Sequence, residues 1–146
     1  MKKTVIITGA SRGIGAQTAL EFSRAGYNVV INYLKSKTRA LELAEKTGGF
    51  AVMADVSIQS SAQYLVDSAL DKFGRVDVLV NNAGISHQQL FTETSEGSWD
   101  KIFDVNVKSV FNCSKAVLDH MITRQSGCII NISSMWGQTG ASCEVA

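Results

Sequence analysis

The feature that most constrains this chain is the glycine-rich segment TGASRGIG at residues 8–15, which directly follows the apolar run at residues 4–7. Its glycines lie where a strand is expected to end and a helix to begin. Because glycine has no Cβ, the backbone can turn tightly there and a phosphate can approach it closely. The helix that follows directs its free N–H groups and the positive end of its dipole to the same place. The segment therefore predicts a binding site for the pyrophosphate of a dinucleotide.

A phosphate-binding loop of the nucleoside-triphosphatase type is one alternative for this segment. Such a loop ends in Gly-Lys-Ser or Gly-Lys-Thr, whose lysine and hydroxyl hold the phosphates and a magnesium ion. Here the segment continues as GIGA at residues 13–16, so both groups are missing and we reject this alternative. A tight turn without a ligand is the other alternative, which is less favoured because the turn opens a βαβ unit.

Strand and helix signals alternate along the chain. Apolar, β-branched runs predict strands at residues 4–8, 27–32, 50–54, 76–81 and 128–132. Apolar residues at helical spacing predict helices at residues 14–25, 36–46, 57–73 and 96–124, the last of them frayed or broken near its start. This order predicts an α/β fold with a doubly wound parallel sheet. We expect strands one, two and five, which are apolar runs, to be buried on both sides.

Composition and charge narrow the class of protein. With 146 residues, 45% of them hydrophobic, the chain can form one domain with a core. A net charge of +1 gives no reason to expect nucleic acid or a membrane surface as a partner. Without a long apolar run or a signal-peptide pattern, we expect a cytoplasmic location. Cys113, Cys128 and Cys143 include no C-x-x-C pair and are expected to be reduced thiols.

Further motifs follow the glycine turn in order. Asp55 and Val56 follow strand three, the segment NNAG at residues 81–84 follows strand four, Asn106 lies in the long helix, and NISS at residues 131–134 ends strand five. Together with the pattern T-G-x-x-x-G-x-G, they resemble the short-chain dehydrogenase/reductase family over nearly the whole chain, and within it the 3-oxoacyl-carrier-protein reductases. The resemblance implies a Rossmann-like fold, of which this chain carries the first five strands with their helices.

The resemblance also implies roles for matched residues, and no metal. Ser134 would hydrogen-bond the substrate carbonyl, in preference to Ser133, whose side chain is expected to point the other way. Asn106 would hold a water in a proton relay. The predicted cofactor-binding residues are Gly9, Ser11, Arg12, Gly13, Ile14, Gly15, Asn32, Tyr33, Lys35, Asp55, Val56, Asn82, Ala83 and Gly84.

Each of these positions also has a purely structural interpretation. Asn82 and Gly84 could simply form a turn, since both residue types tolerate unusual φ angles. Asn106 could be a poor helix former at a partly buried site. Asp55 could cap the following helix, a role for which Ser57 is equally suited.

The end of strand two bears on the choice of nicotinamide cofactor. An acidic residue there would bind the ribose 2′-hydroxyl and repel a 2′-phosphate, but residues 32–36 read NYLKS. Arg12 and Lys35 add two cations, which favours NADP(H) over NAD(H). The alternative is that both are solvated surface charges.

The family's chemistry further requires a Tyr-x-x-x-Lys motif on the helix after strand five, with the tyrosine as general acid. All three tyrosines of this chain precede Ser134. We therefore expect residues 1–146 to be the N-terminal part of a single dinucleotide-binding domain. The full-length parent would be a homotetrameric reductase of a ketone or a 3-oxoacyl thioester, as in fatty acid biosynthesis, and residues 1–146 alone would be inactive. The alternative is a catalytically incomplete dinucleotide-binding module, a sensor or regulatory subunit.

Overall fold

The computed structural model describes residues 1–144 and has one parallel sheet in the strand order β3-β2-β1-β4-β5. Its strands are β1 (Thr4–Ile7), β2 (Asn28–Tyr33), β3 (Phe50–Met53), β4 (Val78–Asn81) and β5 (Cys128–Asn131). The order reverses between β1 and β4, so the loops after these two strands diverge at the carboxyl edge of the sheet. In doubly wound sheets this is where ligands bind.

Helices connect the strands and cover the sheet. They are α1 (Gly13–Arg24), α2 (Lys37–Thr47), α3 (Gln59–Phe73), α4 (Glu96–Phe103), α5 (Ser109–Thr123) and the short α6 (Trp136–Thr139). Most observed ends differ from the predicted ones by one or two residues, which is the usual uncertainty of element boundaries. Among the described residues, no helix has both the length and the apolar character needed to cross a membrane.

Alternation along the central strand produces two cores. Val5 and Ile7 pack on one face of the sheet with residues of α1 and α2. Ile6 points to the other face and packs with residues of α3 and α5. Because successive side chains of a strand point to opposite faces, a strand that is apolar at every position must be covered on both sides. The predicted α/β fold with a doubly wound parallel sheet is confirmed.

Strand β5 corrects one expectation. It pairs only with β4 among the described strands and is therefore an edge strand. Ile129 packs against the core shared with α3 and α5, whereas Ile130 on the opposite face is 38% exposed. The expectation that strand five is buried on both sides was wrong, because no element within residues 1–144 covers its second face.

The predicted long helix at residues 96–124 is interrupted. A π-helical turn, Asp104–Lys108, separates α4 from α5. The Ser109 hydroxyl donates to the Val105 carbonyl across this turn. Such turns insert an extra residue into a helix and often occur at functional sites. Here the inserted turn contains Asn106.

Candidate functional site

The loops at the carboxyl edge of the sheet surround a groove of about 580 Å³. Its volume lies within the range of small-molecule and cofactor sites. Most of the predicted cofactor-binding residues line it: Gly9, Ser11, Arg12, Gly13, Ile14, Asn32, Lys35, Asp55, Val56, Asn82, Ala83 and Gly84. The topology thus brings together segments that are far apart in the sequence.

Four of the predicted site residues lie outside this lining. Gly15 is in the first turn of α1, and the Tyr33 side chain is buried in the core beneath α1 and α2. Asn106 contacts the loop after β4, as described below. Ser134 is exposed beyond β5, where its Oγ accepts a hydrogen bond of 3.2 Å from the Trp136 N–H.

The structure also shows lining residues that the sequence analysis missed: Leu34, Ser36, Ala54, Ser57, Ile85, Lys101 and Val105. Most are direct neighbours of predicted residues. Lys101 and Val105 are different, because they come from the α4 side of the groove. Their spacing of four residues places two helical side chains on one face, a signal that could have been read once Asn106 was assigned to the site.

Two glycines allow the turn after β1 to pack closely against the loop after β4. Gly9 has a φ of +62°, and a Cβ at this position would lie 2.9 Å from the Ala83 Cα. A Cβ on Gly15 would lie 2.5 Å from Nδ2 of Asn82. A larger residue at either position would push these two loops apart, so both glycines are needed for this close approach.

The start of α1 fits an anionic group. Arg12 precedes the helix and makes no side-chain hydrogen bond to its first turn within residues 1–144. The first N–H groups of a helix have no partner inside it, and together with the helix dipole they attract anions. Gly13, the first helical residue, has a φ of +57° and no atom within 4 Å of its Cβ position, so a ligand can approach the backbone here. These features fit the pyrophosphate of a dinucleotide.

Asn32 serves the backbone of two loops. Its Oδ1 accepts a hydrogen bond of 3.1 Å from the Gly9 N–H, and its Nδ2 donates one of 2.9 Å to the Ala54 carbonyl. The side chain is only 2% exposed. Asn32 therefore ties the glycine turn to the end of β3, although it also borders the groove.

Thr8 and Asn82 join the glycine turn to the loop after β4. The Thr8 Oγ1 accepts hydrogen bonds of 2.9 Å from the N–H groups of both Asn82 and Ala83. In return, Nδ2 of Asn82 donates to the Thr8 carbonyl at 2.9 Å. Thr8 was not among the predicted site residues, although it is the first letter of the motif that carried the prediction.

Asn106 holds the next part of the same loop. Its Oδ1 accepts from the Ile85 N–H and its Nδ2 donates to the Ile85 carbonyl, both at 2.8 Å. A Cβ on Gly84 would lie 3.4 Å from the Asn106 Oδ1, so this glycine leaves room for the amide. Asn106 is thus a structural link between the π-helical turn and the loop, whatever further role it has.

Asp55 forms hydrogen bonds within its own loop. Its Oδ1 accepts from the Ser57 N–H at 3.1 Å and from the Ser57 hydroxyl at 2.6 Å. Helix α3 begins two residues later, after Ile58, with no side-chain cap in the described residues. Neither Asp55 nor Ser57 therefore caps α3, and both remain beside the groove.

Comparison with known proteins identifies the family. The family model described as short chain dehydrogenase matches residues 3–146. This chain belongs to the short-chain dehydrogenase family. The resemblance found in the sequence is therefore confirmed.

The chain is also similar to individual proteins, each of them longer than this chain. It is 41% identical over 145 residues to the 3-oxoacyl-(acyl-carrier-protein) reductase FabG of Staphylococcus epidermidis, covering 96% of this chain and 59% of that protein. It is 42% identical over 143 residues to a 3-oxoacyl-(acyl-carrier-protein) reductase of Synechocystis sp., covering 94% and 58%. A solved structure described as "ElxO with NADP Bound" matches with a TM-score of 0.90 at 37% identity, covering 99% of this chain and 60% of that one. The chain spans about three fifths of the length of these curated relatives.

The groove is bordered by cations. Arg12, Lys35 and Lys101 line it, and none of them forms an ion pair within residues 1–144. Asp55 is the acidic residue among the lining residues. Helix α2, which follows Lys35, has no acidic residue in its first turn, so its positive dipole end adds to the same field.

Tyr33 is followed four residues later by Lys37, which reproduces the Tyr-x-x-x-Lys spacing elsewhere in the chain. The pair crosses from the end of β2 to the first residue of α2, and the Tyr33 ring is buried. The short-chain dehydrogenase motif requires both residues on one helix near the serine. The Tyr33–Lys37 spacing is therefore unrelated to that motif.

Proposed function

We propose that this chain is the cofactor-binding part of an NADP(H)-dependent oxidoreductase that reduces a ketone or a 3-oxoacyl thioester to the alcohol. The observation that carries the proposal is the groove itself, where the described residues bring together a helix start without a side-chain cap and cations without ion pairs. The reaction and substrate class are supported by the names of two relatives, which are 3-oxoacyl-(acyl-carrier-protein) reductases. The choice of NADP(H) is supported by the solved structure described as having NADP bound.

Different segments of the chain would bind different parts of the cofactor. The N–H groups at Gly13 to Gly15 would bind the pyrophosphate, as helix starts do for other anions. Asp55 and Val56 would contact the adenine, and the loop from Asn82 to Gly84 would contact the rest of the nucleotide. Bound NADPH supplies the hydride that reduces the carbonyl carbon.

The 2′-phosphate would lie between Arg12 and Lys35. Both side chains line the groove, and the residues that follow Lys35 begin α2 without an acidic side chain in its first turn. Lys37 and Arg39 instead place two more cations at the positive end of that helix. Like charges at this end are unfavourable for an isolated helix. A bound phosphate offsets this repulsion, whereas a 2′-hydroxyl does not.

Ser134 and Asn106 would act on the substrate side. The Ser134 hydroxyl would donate a hydrogen bond to the carbonyl oxygen and stabilise the negative charge that develops there. Each polar atom of the Asn106 amide uses one hydrogen bond for Ile85, which leaves one lone pair and one N–H for a water.

None of the three tyrosines, which all lie within the described residues, is placed to act as the proton donor. Tyr33 is buried, the Tyr27 ring packs edge-on against Phe22, and Tyr64 lies on α3. We therefore infer that residues 1–144 bind the cofactor without turning it over. Longer forms of the protein would supply the general acid.

Self-association is part of the same proposal for the full-length protein. Helix α5 and the π-helical turn leave large apolar side chains exposed, among them Val107, Phe111, Leu118 and Ile122. Exposed apolar surface of this extent favours burial against another copy. A homotetramer of the full-length form is expected, and light scattering measures its mass directly.

Cofactor titration tests the proposal. The chain is titrated with NADPH and NADH, together with the variants Arg12→Ala and Lys35→Ala and the control Lys46→Ala at the far end of α2. Each groove variant is expected to weaken NADPH binding about tenfold and to leave NADH binding unchanged, since a charge-assisted hydrogen bond to the phosphate is lost. Equal or tighter binding of NADH by the wild-type chain would overturn the preference for NADP(H).

A turnover assay separates the enzyme from the binding module. Longer forms of the protein are incubated with NADPH and a panel of 3-oxoacyl thioesters and ketones, and the loss of NADPH absorbance is followed. Oxidation that disappears in Ser134→Ala supports the reductase. Tight NADPH binding without oxidation of any panel member supports the module instead.

A further inference from the structure

A buried asparagine on α5 contacts the groove from behind. The Asn112 side chain is 2% exposed, and its Nδ2 donates a hydrogen bond of 3.1 Å to the carbonyl of Val56. Val56 itself lines the groove. Asn112 does not border the groove, so it cannot be found by listing the residues that a ligand would touch.

The loop that Asn112 holds is fixed from two sides. The carbonyl of Val56 accepts from Asn112 on α5, and the carbonyl of Ala54 accepts from Asn32 on β2 at 2.9 Å. Asp55 lies between these two carbonyls. A buried carbonyl that loses its partner is costly, so each amide restricts the backbone on its side of Asp55.

Two further acceptors of the loop, Oδ1 and the backbone carbonyl of Asp55, are engaged inside the loop itself. The Asp55 Oδ1 accepts from Ser57, and the Ile58 N–H donates to the Asp55 carbonyl at 3.0 Å. Within residues 1–144, Oδ2 of Asp55 makes no hydrogen bond. Within the described residues, the loop therefore leaves one carboxylate oxygen of Asp55 without a partner beside the groove, while the Val56 side chain packs in the core and the loop backbone is held from the core side.

We propose that Asn112 is a positioning residue for the adenine end of the cofactor. It holds the Val56 carbonyl toward α5 and thereby keeps Asp55 and Val56 in the orientation that forms this wall of the groove. The inference rests on the proposed function, since the adenine contact of Asp55 and Val56 is part of that function. Without the Asn112 donor, the Val56 carbonyl turns toward water and the wall loses its fixed position.

Asn112→Asp tests the inference, because it keeps the size of the side chain and removes the donor. Val117→Ala is the matched control, since Val117 is fully buried on the same helix and its truncation destabilises the core without removing a hydrogen bond from the loop. Asn112→Gln keeps an amide donor on a longer stem and serves as a second variant if the aspartate variant does not fold. The thermal midpoint of each variant shows how much stability was lost.

Two readouts are taken on the whole chain. Hydrogen exchange of the peptide covering residues 54–58 is measured without any ligand, and the Kd of adenosine 2′,5′-bisphosphate is measured by titration. Asn112→Asp is expected to raise both the exchange rate and the Kd about tenfold, as expected when a buried carbonyl loses its donor. Val117→Ala is expected to lower the thermal midpoint and leave both values near those of the wild type.

The outcomes separate this inference from the proposed function. If the wild-type chain fails to bind adenosine 2′,5′-bisphosphate, the proposed function is overturned, and the exchange measurement still decides whether Asn112 holds the loop. If the wild type binds and Asn112→Asp binds equally well, the positioning role is wrong. The same holds if Val117→Ala raises the Kd as much as Asn112→Asp, because the effect would then reflect stability alone.

Discussion

The parallel strands begin at one edge of the sheet, the amino edge, and end at the opposite, carboxyl edge. The two edges differ in how their charged side chains are paired. At the amino edge, the Asp77 carboxylate is 6% exposed and accepts hydrogen bonds from the Thr4 N–H, from Arg75 and from Arg124. Charges of both signs are present and satisfy one another. Although burial raises the pKa of Asp77, the hydrogen bonds from Arg75, Thr4 and Arg124 outweigh it and hold the pKa well below its usual range.

At the carboxyl edge, neutral groups do the equivalent work. Asn32 and Asn82 hold the glycine turn, and Asn112 holds the loop after β3. The nearby cations, such as Arg12 and Lys35, are left without ion pairs within residues 1–144. The loop backbones at this edge are therefore held by hydrogen bonds, whereas the positive charges of Arg12 and Lys35 are not neutralised by ion pairs within the described residues.

This difference shows how one sheet can use ion pairs for stability at one edge and leave cations available for a ligand at the other. An amide can donate to a carbonyl and accept from an N–H at the same time, without adding a charge. A carboxylate in the place of Asn32 or Asn82 would attract the groove cations and repel an incoming phosphate. Neutral amides hold the loops and leave the positive field of the groove available to a ligand.

The largest expected effect is that of Asp77→Asn at the amino edge. The variant leaves Arg75 and Arg124 without their carboxylate, and because both arginines are partly exposed the loss lies at or below that of a fully buried ion pair, at about 2 to 3 kcal/mol. Urea unfolding measures the loss, with Asp71→Asn on the exposed face of α3 as control. NADPH affinity of the folded variant is expected to stay unchanged. A loss of affinity would contradict the separation of the two edges.

Gly9→Ala is expected to have the next largest effect, and at the carboxyl edge. An alanine here must adopt a φ of +62° and bring its Cβ within 2.9 Å of the Ala83 Cα, which together cost about 2 kcal/mol. Because the strain lies between two groove loops, NADPH binding is expected to fall as well.

Gly26→Ala is the matched control for this variant. Gly26 also has a positive φ, +84°, but no atom lies within 4 Å of its Cβ position, and it lies in the turn before β2 at the other edge. The free energy of unfolding of Gly26→Ala, measured with urea, should fall by about 1 kcal/mol. Its affinity for NADPH should equal that of the wild type. Equal losses of affinity in both variants would show that binding follows stability alone.

The fold could be predicted from the sequence because its signals are local. The apolar runs and the helical periodicities lie within single elements, and their order fixes a parallel sheet. The glycine turn could be predicted for the same reason, since its spacing is contained in residues 8–15. The burial of β5 could not be predicted from its apolar run alone, because burial depends on which elements lie beside that strand.

The function of individual asparagines could not be predicted in this way. The sequence assigned Asn32 and Asn82 to the cofactor, whereas their amides also bind backbone groups 22 to 74 residues away in the chain. Asn112 gave no signal, since a polar residue on a helix predicts a solvated face by default. Tyr33 ends an apolar strand next to the groove, but its side chain points into the core, as strand alternation dictates.

The amino edge also gives a pH-dependent prediction. The Nε2 of His120 accepts a hydrogen bond of 3.2 Å from the Val76 N–H, which requires an unprotonated nitrogen. Burial, together with the positive charges of Arg124 and Arg75, lowers the pKa of His120 against the opposing effect of Asp77. The unfolded chain then binds the proton more readily, so the free energy of unfolding decreases as the pH falls through about 6.5.

His120→Gln should weaken this pH dependence. Urea unfolding at intervals from about pH 8 to about pH 5 is expected to show a shallower decline for the variant than for the wild type. Protonation of Asp77 also lowers the free energy of unfolding, but at lower pH. Because the folded-state pKa of Asp77 is depressed, this loss occurs below the ordinary pKa of an aspartate. Parallel curves for variant and wild type down to about pH 5 would contradict the role of His120.

The smallest expected effect concerns Lys101, the groove cation on α4. Lys101→Gln should weaken NADPH binding about threefold at low salt, because an exposed charge contributes only a few tenths of a kcal/mol to about 1 kcal/mol. Lys108→Gln is the control, since Lys108 is also exposed but forms an ion pair of 3.0 Å with Asp104. The difference between the two variants should shrink as salt is added, because the Debye length shortens. If both variants bind NADPH alike at low salt, the α4 side does not contribute to the field, and the contrast between the two edges is confined to the loops after β1 and β2.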